Sequence, residues 1–226
     1  MKKILLASGC SYTTHDYNSH YHTDMKCDWP KWPEILAEKL GMECVNLCKC
    51  GAGQEYIYSS ISDYLQKTPK EEIGQVIAAW STAPRRCFQV KNRWSNDRQD
   101  MRGDITYWTE RSIRYQYAFQ NLMEQTQLPY LHFQMISLYR GHLWELRKNM
   151  DRNKVEVMKQ DVLETLKNTP YKFNDKFFNW PGDEELGGFS LEFGVLKEEH
   201  KISELDRHPN AKGQQKIAEY LYDRLR

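Results

Sequence analysis

The sequence predicts an α/β fold, a three-layer α/β/α sandwich around a mostly parallel sheet. Three observations carry that expectation. Short apolar runs of strand length recur near residues 3–8, 43–47, 73–80 and 129–135. Stretches with apolar residues at helical spacing separate them. The first run, the first helix and the second run follow in the order strand, helix, strand, which implies a parallel pair joined by a crossover helix.

The composition bounds what such a chain does. Its 226 residues are read as one domain with a sizeable core, spanning 1–226. Charged residues make up 28% and hydrophobic ones 40%, as in soluble globular proteins. A formal net charge of +1 argues against a nucleic-acid partner held by bulk basicity. The apolar run after Lys2 and Lys3 is too short for a signal peptide, and no stretch approaches the length of a membrane span. The expectation is a cytoplasmic protein without a membrane partner. Cys10, Cys27, Cys44, Cys48, Cys50 and Cys87 then read as free thiols. No Cys-x-x-Cys pair exists, and Cys48-Lys49-Cys50 is too close for zinc-knuckle spacing.

The first strand begins at Ile4-Leu5-Leu6-Ala7 and stops at Ser8-Gly9, where small residues carry the chain out of the sheet. Ser11 follows, at a strand's carboxyl end, where open α/β sheets form their ligand crevice. It is placed to present a nucleophile; an ordinary loop serine is the plain alternative. A polar, aromatic loop runs on to Trp29-Pro30 and holds His15, His20 and His22. His20 and His22 offer two imidazoles on one side, but no acidic or thiol partner is placed with them, so no metal and no cofactor are expected.

Residues 32–41 read as a helix, with proline at its start and glycine just past its end, and with Ile35, Leu36 and Leu40 on one apolar face. Glu43 to Leu47 is a short buried strand. Cys50-Gly51-Ala52-Gly53-Gln54 follows, and small residues there let backbone approach a ligand closely. Gly51 is a candidate N–H donor to an oxyanion, with a tight strand-to-helix turn as the alternative. Tyr56, Ile57, Ile61, Tyr64 and Leu65 mark the next helix.

Ile73 to Trp80 is a third buried strand, ending in Ser81-Thr82-Ala83-Pro84-Arg85-Arg86 at another carboxyl edge. Arg85 and Arg86 are candidates to bind a substrate carboxylate or phosphate, or are simply solvated. Residues 88–108 read as a polar insertion, a lid or interaction surface. A long helix over Thr109 to Gln127 is expected, capped by Thr109. Tyr130 to Met135 is a fourth strand. From Leu138 to Asn168 the pattern is helical, in two pieces around Asn149–Asn153, and Pro170 to Lys197 is irregular and aromatic, with Trp180-Pro181-Gly182 and Gly187-Gly188. The last helix begins near Asn210 and carries Ile217, Ala218, Leu221 and Leu225; just before it stands Asp206-Arg207-His208-Pro209-Asn210.

Three strand ends and one loop before a helix thus bring Ser11, Gly51, Ser81/Thr82 and His208 toward one edge. This pattern resembles the SGNH/GDSL hydrolase family, in which a flavodoxin-like sheet carries short sequence blocks. Gly9-Cys10-Ser11 occupies the Gly-Asp-Ser block that holds the nucleophile. Asn46-Leu47-x-x-x-Gly51-Ala52 looks like the second block. Asp206-x-His208-Pro209-Asn210-x-x-Gly213 is similar to the last block and is followed by a terminal helix. The likeness runs through the whole chain in order and spacing. Three positions depart from it. Cys10 replaces the aspartate beside the serine. Trp80-Ser81-Thr82 stands where Gly-x-Asn would supply an asparagine donor. Asp206 lies two residues before His208 rather than three, with Leu205 at the usual position, so Asp206, Glu204 or a backbone carbonyl is left to orient the imidazole.

The resemblance implies acyl transfer. His208 would take the proton from Ser11 as it attacks an ester carbonyl, with Asp206 behind it. The N–H groups of Ser11 and Gly51 would hold the oxyanion, and Ser81 or Thr82 would add a hydroxyl. The implied substrate is a small or carbohydrate-linked acyl ester. A non-catalytic binding or structural protein on the same fold is the rival reading. A nucleotide binder would want a glycine loop after the first strand, and Ser8-Gly9-Cys10-Ser11 is too glycine-poor. The sequence does not set the oligomeric state.

Overall fold

The computed structural model describes residues 2–97, 100, 102–139, 152–178 and 188–226. Its centre is a five-stranded sheet built from β1 (Ile4–Ser8), β2 (Glu43–Asn46), β3 (Ile73–Trp80), β6 (Tyr130–Gln134) and β7 (Phe177–Phe178), in the order β2-β1-β3-β6-β7. Every pairing in it is parallel. β1 is buried along its whole length, and β3 is buried at all but Gly74. Strands covered on both faces are apolar without alternation, which is why these runs stand out in the sequence.

Helices cover both faces. α1 (Trp32–Leu40) and α6 (Ala211–Leu225) pack together on one, where Trp32 lies 6.0 Å from the Phe133 ring. α2 (Gln54–Leu65) and α3 (Ile105–Thr126) pack together on the other, where Trp80 meets Phe119 edge-on at 5.7 Å. The result is the expected three-layer sandwich. The chain steps from β1 to β2 on one side and to β3 on the other. β1 and β3 therefore flank the point where strand order reverses, the place where such sheets open a crevice at their carboxyl ends.

Some expectations need correction. The insertion at 88–108 contains an antiparallel hairpin, β4 (Arg86–Val90) with β5 (Arg93–Asp97), and its end belongs to α3. Lys91 and Asn92 turn the hairpin with φ of 48° and 61°, both in the left-handed region that two-residue hairpin turns require. Asp104, not Thr109, caps α3: its side chain accepts from the Tyr107 N–H at 2.8 Å. Thr109 lies inside the helix and donates back to the Ile105 carbonyl at 2.6 Å. The stretch expected to be irregular holds β7 and the short helix α5 (Leu191–Gly194). Of the two helical pieces expected between 138 and 168, the second is α4 (Arg152–Asn168); the first, past Leu138 and Tyr139, falls outside the described residues, as do Asn149, Trp180-Pro181-Gly182 and Gly187. No helix among the described residues is long and apolar enough to cross a membrane.

Candidate active site

Ser11 stands in a short loop that leaves the end of β1. Gly9 lets the chain pass close to β3: a Cβ there would meet Ala79 Cβ at 3.1 Å. The Thr13 N–H bonds the Cys10 carbonyl at 3.0 Å and closes a turn around Ser11. Three elements then pin that turn. Asn46 at the end of β2 donates to the Thr13 carbonyl at 2.9 Å, the Trp32 indole of α1 to the Thr13 hydroxyl at 3.0 Å, and Gln214 of α6 to the Tyr12 carbonyl at 2.9 Å. Ser11 is left 6% exposed.

His208 arrives on a loop shaped by its own backbone. The Ile202 N–H bonds the His208 carbonyl at 2.9 Å, and the Ser203 N–H bonds the Asp206 carbonyl at 3.0 Å. Asn210 both caps α6, accepting from the Gly213 N–H at 3.0 Å, and reaches back to the Lys201 carbonyl at 2.7 Å. Gly213 is required here because the start of α6 crosses the 200–201 segment closely. A Cβ on it would lie 2.2 Å from the His200 carbonyl oxygen.

The two loops meet. The Ser11 Oγ lies 2.8 Å from His208 Nε2, and His208 Nδ1 lies 2.7 Å from Asp206 Oδ1. An ionised carboxylate only accepts, so Nδ1 carries the ring proton and Nε2 is the lone-pair nitrogen facing the Ser11 hydroxyl. Of the three candidates left to orient His208, Asp206 is the one in contact; Glu204 is exposed.

Burial pushes the His208 imidazole below its ordinary pKa, against the Asp206 carboxylate, which raises it; the positive charge of Arg85 adds to the lowering. Burial also pushes Asp206 up, but hydrogen bonds from Ser19, Tyr17 and His208 outweigh it and leave the carboxyl below its ordinary value. The pair is therefore a neutral imidazole on an ionised carboxylate at neutral pH.

The remaining candidates divide. Gly51 adopts φ +73°, and the Asn96 side chain of the hairpin lies over it, since a Cβ there would stand 2.2 Å from Asn96 Nδ2. The Thr82 hydroxyl donates its single proton to the Leu138 carbonyl at 2.8 Å and is committed to that loop. Ser81 is fully buried, and its Oγ accepts from Arg85 Nη1 at 2.7 Å. Arg86 turns to the hairpin, 3.8 Å from Asp100 Oδ1 and over the Phe88 ring.

Sequence reasoning missed two groups of side chains. Tyr17 stacks on His208 with ring centroids 3.8 Å apart, and its hydroxyl donates to Asp206 Oδ2 at 2.6 Å. Buried Glu192 accepts from the Tyr12 hydroxyl at 2.9 Å and the Ser137 N–H at 3.3 Å, beneath a Tyr12 ring that itself lies 4.9 Å from His208. The loop that holds Tyr17 has no periodicity to mark it. The other loop histidines go separate ways, His15 to Glu34 at 2.6 Å and His22 to the Ser203 hydroxyl at 2.8 Å. The six cysteines are unbridged. A cleft of about 360 Å³ between α3 and α4, lined by Thr106, Glu110, Ile113, Arg114, Asp161 and Thr165, takes no residue from the Ser11 cluster.

No protein-family model matches the chain, and no curated protein matches it. Solved structures do. A protein of the G-D-S-L family from Desulfitobacterium hafniense is 13% identical over 99% of this chain and 99% of its own, with a TM-score of 0.50. The psychrotrophic esterase EstA of Pseudoalteromonas is 10% identical over 98% of this chain and 95% of its own, at 0.53. The acetyl xylan esterase Est2A of the rumen bacterium Butyrivibrio proteoclasticus is 13% identical over 99% of this chain and 63% of its own, at 0.51. At such identities the likeness is one of fold, and the fold is the one these proteins share.

Proposed function

We propose that the protein is a serine ester hydrolase of the SGNH type, acting on a small or carbohydrate-linked acyl ester. The observation that carries this reading is the relay from Ser11 Oγ to His208 Nε2 at 2.8 Å and from His208 Nδ1 to Asp206 at 2.7 Å. The Ser11 oxygen attacks the ester carbonyl carbon while its proton passes to Nε2. The C–O bond to the alcohol then breaks, and the alcohol leaves with that proton. Water attacks the acyl-serine next, again giving a proton to His208, and the carboxylic acid departs as Ser11 recovers its hydrogen. Asp206 stays ionised and stabilises the imidazolium at both stages.

The oxyanion that forms at each attack needs donors. The backbone N–H groups of Ser11 and Gly51 are assigned this task, Gly51 because its positive φ holds the loop in a turn that a side chain strains. Thr82 is left out of this assignment because its hydroxyl donates to the Leu138 carbonyl. Two proteins of the same fold lend the reading support: one is named an esterase and was captured with monoethylphosphonate as inhibitor, the other is named an acetyl xylan esterase.

The test is covalent. A fluorophosphonate probe should add one phosphonyl group to the wild-type protein by intact mass and none to Ser11→Ala. Hydrolysis of p-nitrophenyl acetate should fall by orders of magnitude in Ser11→Ala. Equal slow turnover in both proteins, with no labelling, would assign the fold to a binding scaffold instead.

A further inference from the structure

The two adjacent arginines after β3 have different surroundings. Arg86, the first residue of the hairpin, is paired with Asp100 beyond it. Arg85 is half-buried, and its Nη1 donates to the hydroxyl of Ser81, a neutral group. Ser81 follows β3, the strand paired with β1, whose end leads to Ser11, and the charge of Arg85 acts on the Cys10 thiol and on the His208 imidazole.

Its backbone is fixed as well. The Arg85 carbonyl accepts from Arg111 Nη2 at 2.6 Å and packs on Gly53, where a Cβ would come within 3.0 Å of it. The nearby carboxylates are already used. Asp100 lies 2.7 Å from Arg111 Nη1, and Glu55 lies 3.3 Å from Arg111 Nε. Arg111 is a structural arginine, ringed by two carboxylates and two backbone carbonyls. Among the described residues, no carboxylate forms an ion pair with Arg85.

The residue that would neutralise it is the one this chain lacks. In the Gly-Asp-Ser pattern a carboxylate occupies position 10; here Cys10 does, fully buried, and burial keeps its thiol protonated. A planar guanidinium has five donors in a fork that matches a carboxylate or phosphate. Leaving a cation half-buried with only neutral partners is costly, and the cost is recovered when an anion binds.

We propose that Arg85 is the receptor for an anionic oxygen group, a carboxylate or phosphate carried by the ester substrate close to its scissile bond. The proposal rests on Ser11 being the nucleophile and names the substrate class of that same site. Ser81 is the positioning residue: fully buried, it fixes the Arg85 guanidinium through the 2.7 Å bond to its hydroxyl. Cys10 leaves the charge of Arg85 available.

Two esters of similar acyl length test this, p-nitrophenyl butyrate and the mono-p-nitrophenyl ester of succinate. The quantity read is the ratio of kcat/KM, anionic over neutral. The wild type should favour the succinate ester, and Arg85→Gln should lower the ratio by about 10–100-fold, the weight of one charge-assisted pair. Arg85→Lys, which keeps the charge but not the fork, should fall between them. Cys10→Asp should lower the ratio too, by supplying an internal anion. Inhibition by free succinate and by inorganic phosphate distinguishes a carboxylate from a phosphate as the preferred group, and both should weaken in Arg85→Gln. An unchanged ratio overturns the proposal. So does an equal loss on both esters, which would make Arg85 an oxyanion donor. If the wild type hydrolyses neither ester, the hydrolase reading fails by itself. Calorimetric binding of monoethyl succinate to Ser11→Ala then decides the anion site: binding lost with Arg85→Gln upholds it, and no binding refutes it.

Discussion

Tyr17 and His208 lie face to face at 3.8 Å, and the hydroxyl of the same tyrosine donates to the carboxylate that His208 bonds from the other side. One side chain from the loop after β1 thus fixes both members of a pair from the far end of the chain, Asp206 lying 189 residues after Tyr17. Tyr17 is a positioning residue. Tyr17→Phe keeps the stack and removes the hydrogen bond, and kcat should fall about tenfold, the weight of a bond to a charged group. With one donor fewer, the carboxylate draws the Nδ1 proton more strongly, so the acidic limb of the pH profile should move to higher pH. A purely structural tyrosine would lower the melting temperature and leave that limb in place.

The pH profile of kcat/KM should rise from acid and level off, because His208 acts only when neutral. Its midpoint should lie below about 6.5, the ordinary imidazole value, since burial, with Arg85, lowers His208 further than Asp206 raises it. Two variants should move the midpoint in opposite directions. Arg85→Gln removes a cation that disfavours the imidazolium and should shift it up. Asp206→Ala removes the anion that favours it and should shift the residual activity down, while lowering kcat/KM by about 10³-fold or more, because relay members act as a unit. Shifts in the same direction would mean that the field at His208 comes from other groups.

How much of this is legible in the sequence follows from what each residue contacts. β1, β3 and β6 declare themselves because their residues are buried in runs, and α6 because Asn210 and the apolar residues after it mark its start; β2, expected to be buried, is an edge strand that is exposed at Glu43 and only partly buried beyond it. β7 does not: two phenylalanines make no pattern, and their place is set by the His132 N–H bonding the Lys176 carbonyl at 2.9 Å. The hairpin escapes notice because Lys91-Asn92 lacks the glycine that usually announces such a turn. Ser11 and His208 are legible from their places at a strand end and before a helix. Neighbouring hydroxyls are not: Ser81 and Thr82 differ only in where the β3 end twists them, one to Arg85 and one to Leu138. Tyr17 is illegible for the same reason, since only tertiary packing brings it over His208.

His132 should set the acid stability. It is fully buried in β6 among Trp80, Phe119 and Phe177; its Nδ1 accepts from the Trp80 indole at 3.1 Å, and burial holds its pKa down to about 3. In the unfolded chain it titrates near 6.5. Between those values the unfolded state binds a proton that the folded state does not, so stability is full above the upper value and declines as pH falls toward the lower one. The slope from this one group is about 1.4 kcal/mol per pH unit. Urea midpoints measured from pH 7 to pH 4 should show it, and His132→Gln, whose amide oxygen accepts from Trp80 without titrating, should flatten the decline. An equal decline in both proteins would place the acid sensitivity in the carboxylates.

Gly213 links stability to the position of His208. The start of α6 crosses the His200 carbonyl so closely that a methyl group has no room, and the obstacle is backbone rather than a flexible side chain. In Gly213→Ala the helix must therefore lift away from the 200–201 segment, at a cost of about 1–3 kcal/mol typical of overpacking. That segment carries the bridge between Lys201 and Pro209 and accepts the Asn210 bonds, so the lift displaces the backbone on both sides of His208. A shift of about 1 Å at a reacting group can lower a rate by about 10²-fold. The expected signature is a lowered urea midpoint together with slowed phosphonate labelling of Ser11, under conditions where the variant is still folded. Gly41→Ala is the control: this glycine, unlike Gly213, has a positive φ of 68°, but nothing lies within 4 Å of an added Cβ, and it closes α1 away from the relay. It should lose stability through backbone strain alone and label at the wild-type rate. Labelling slowed equally in both variants would mean that general loosening, not displacement of His208, governs the reaction.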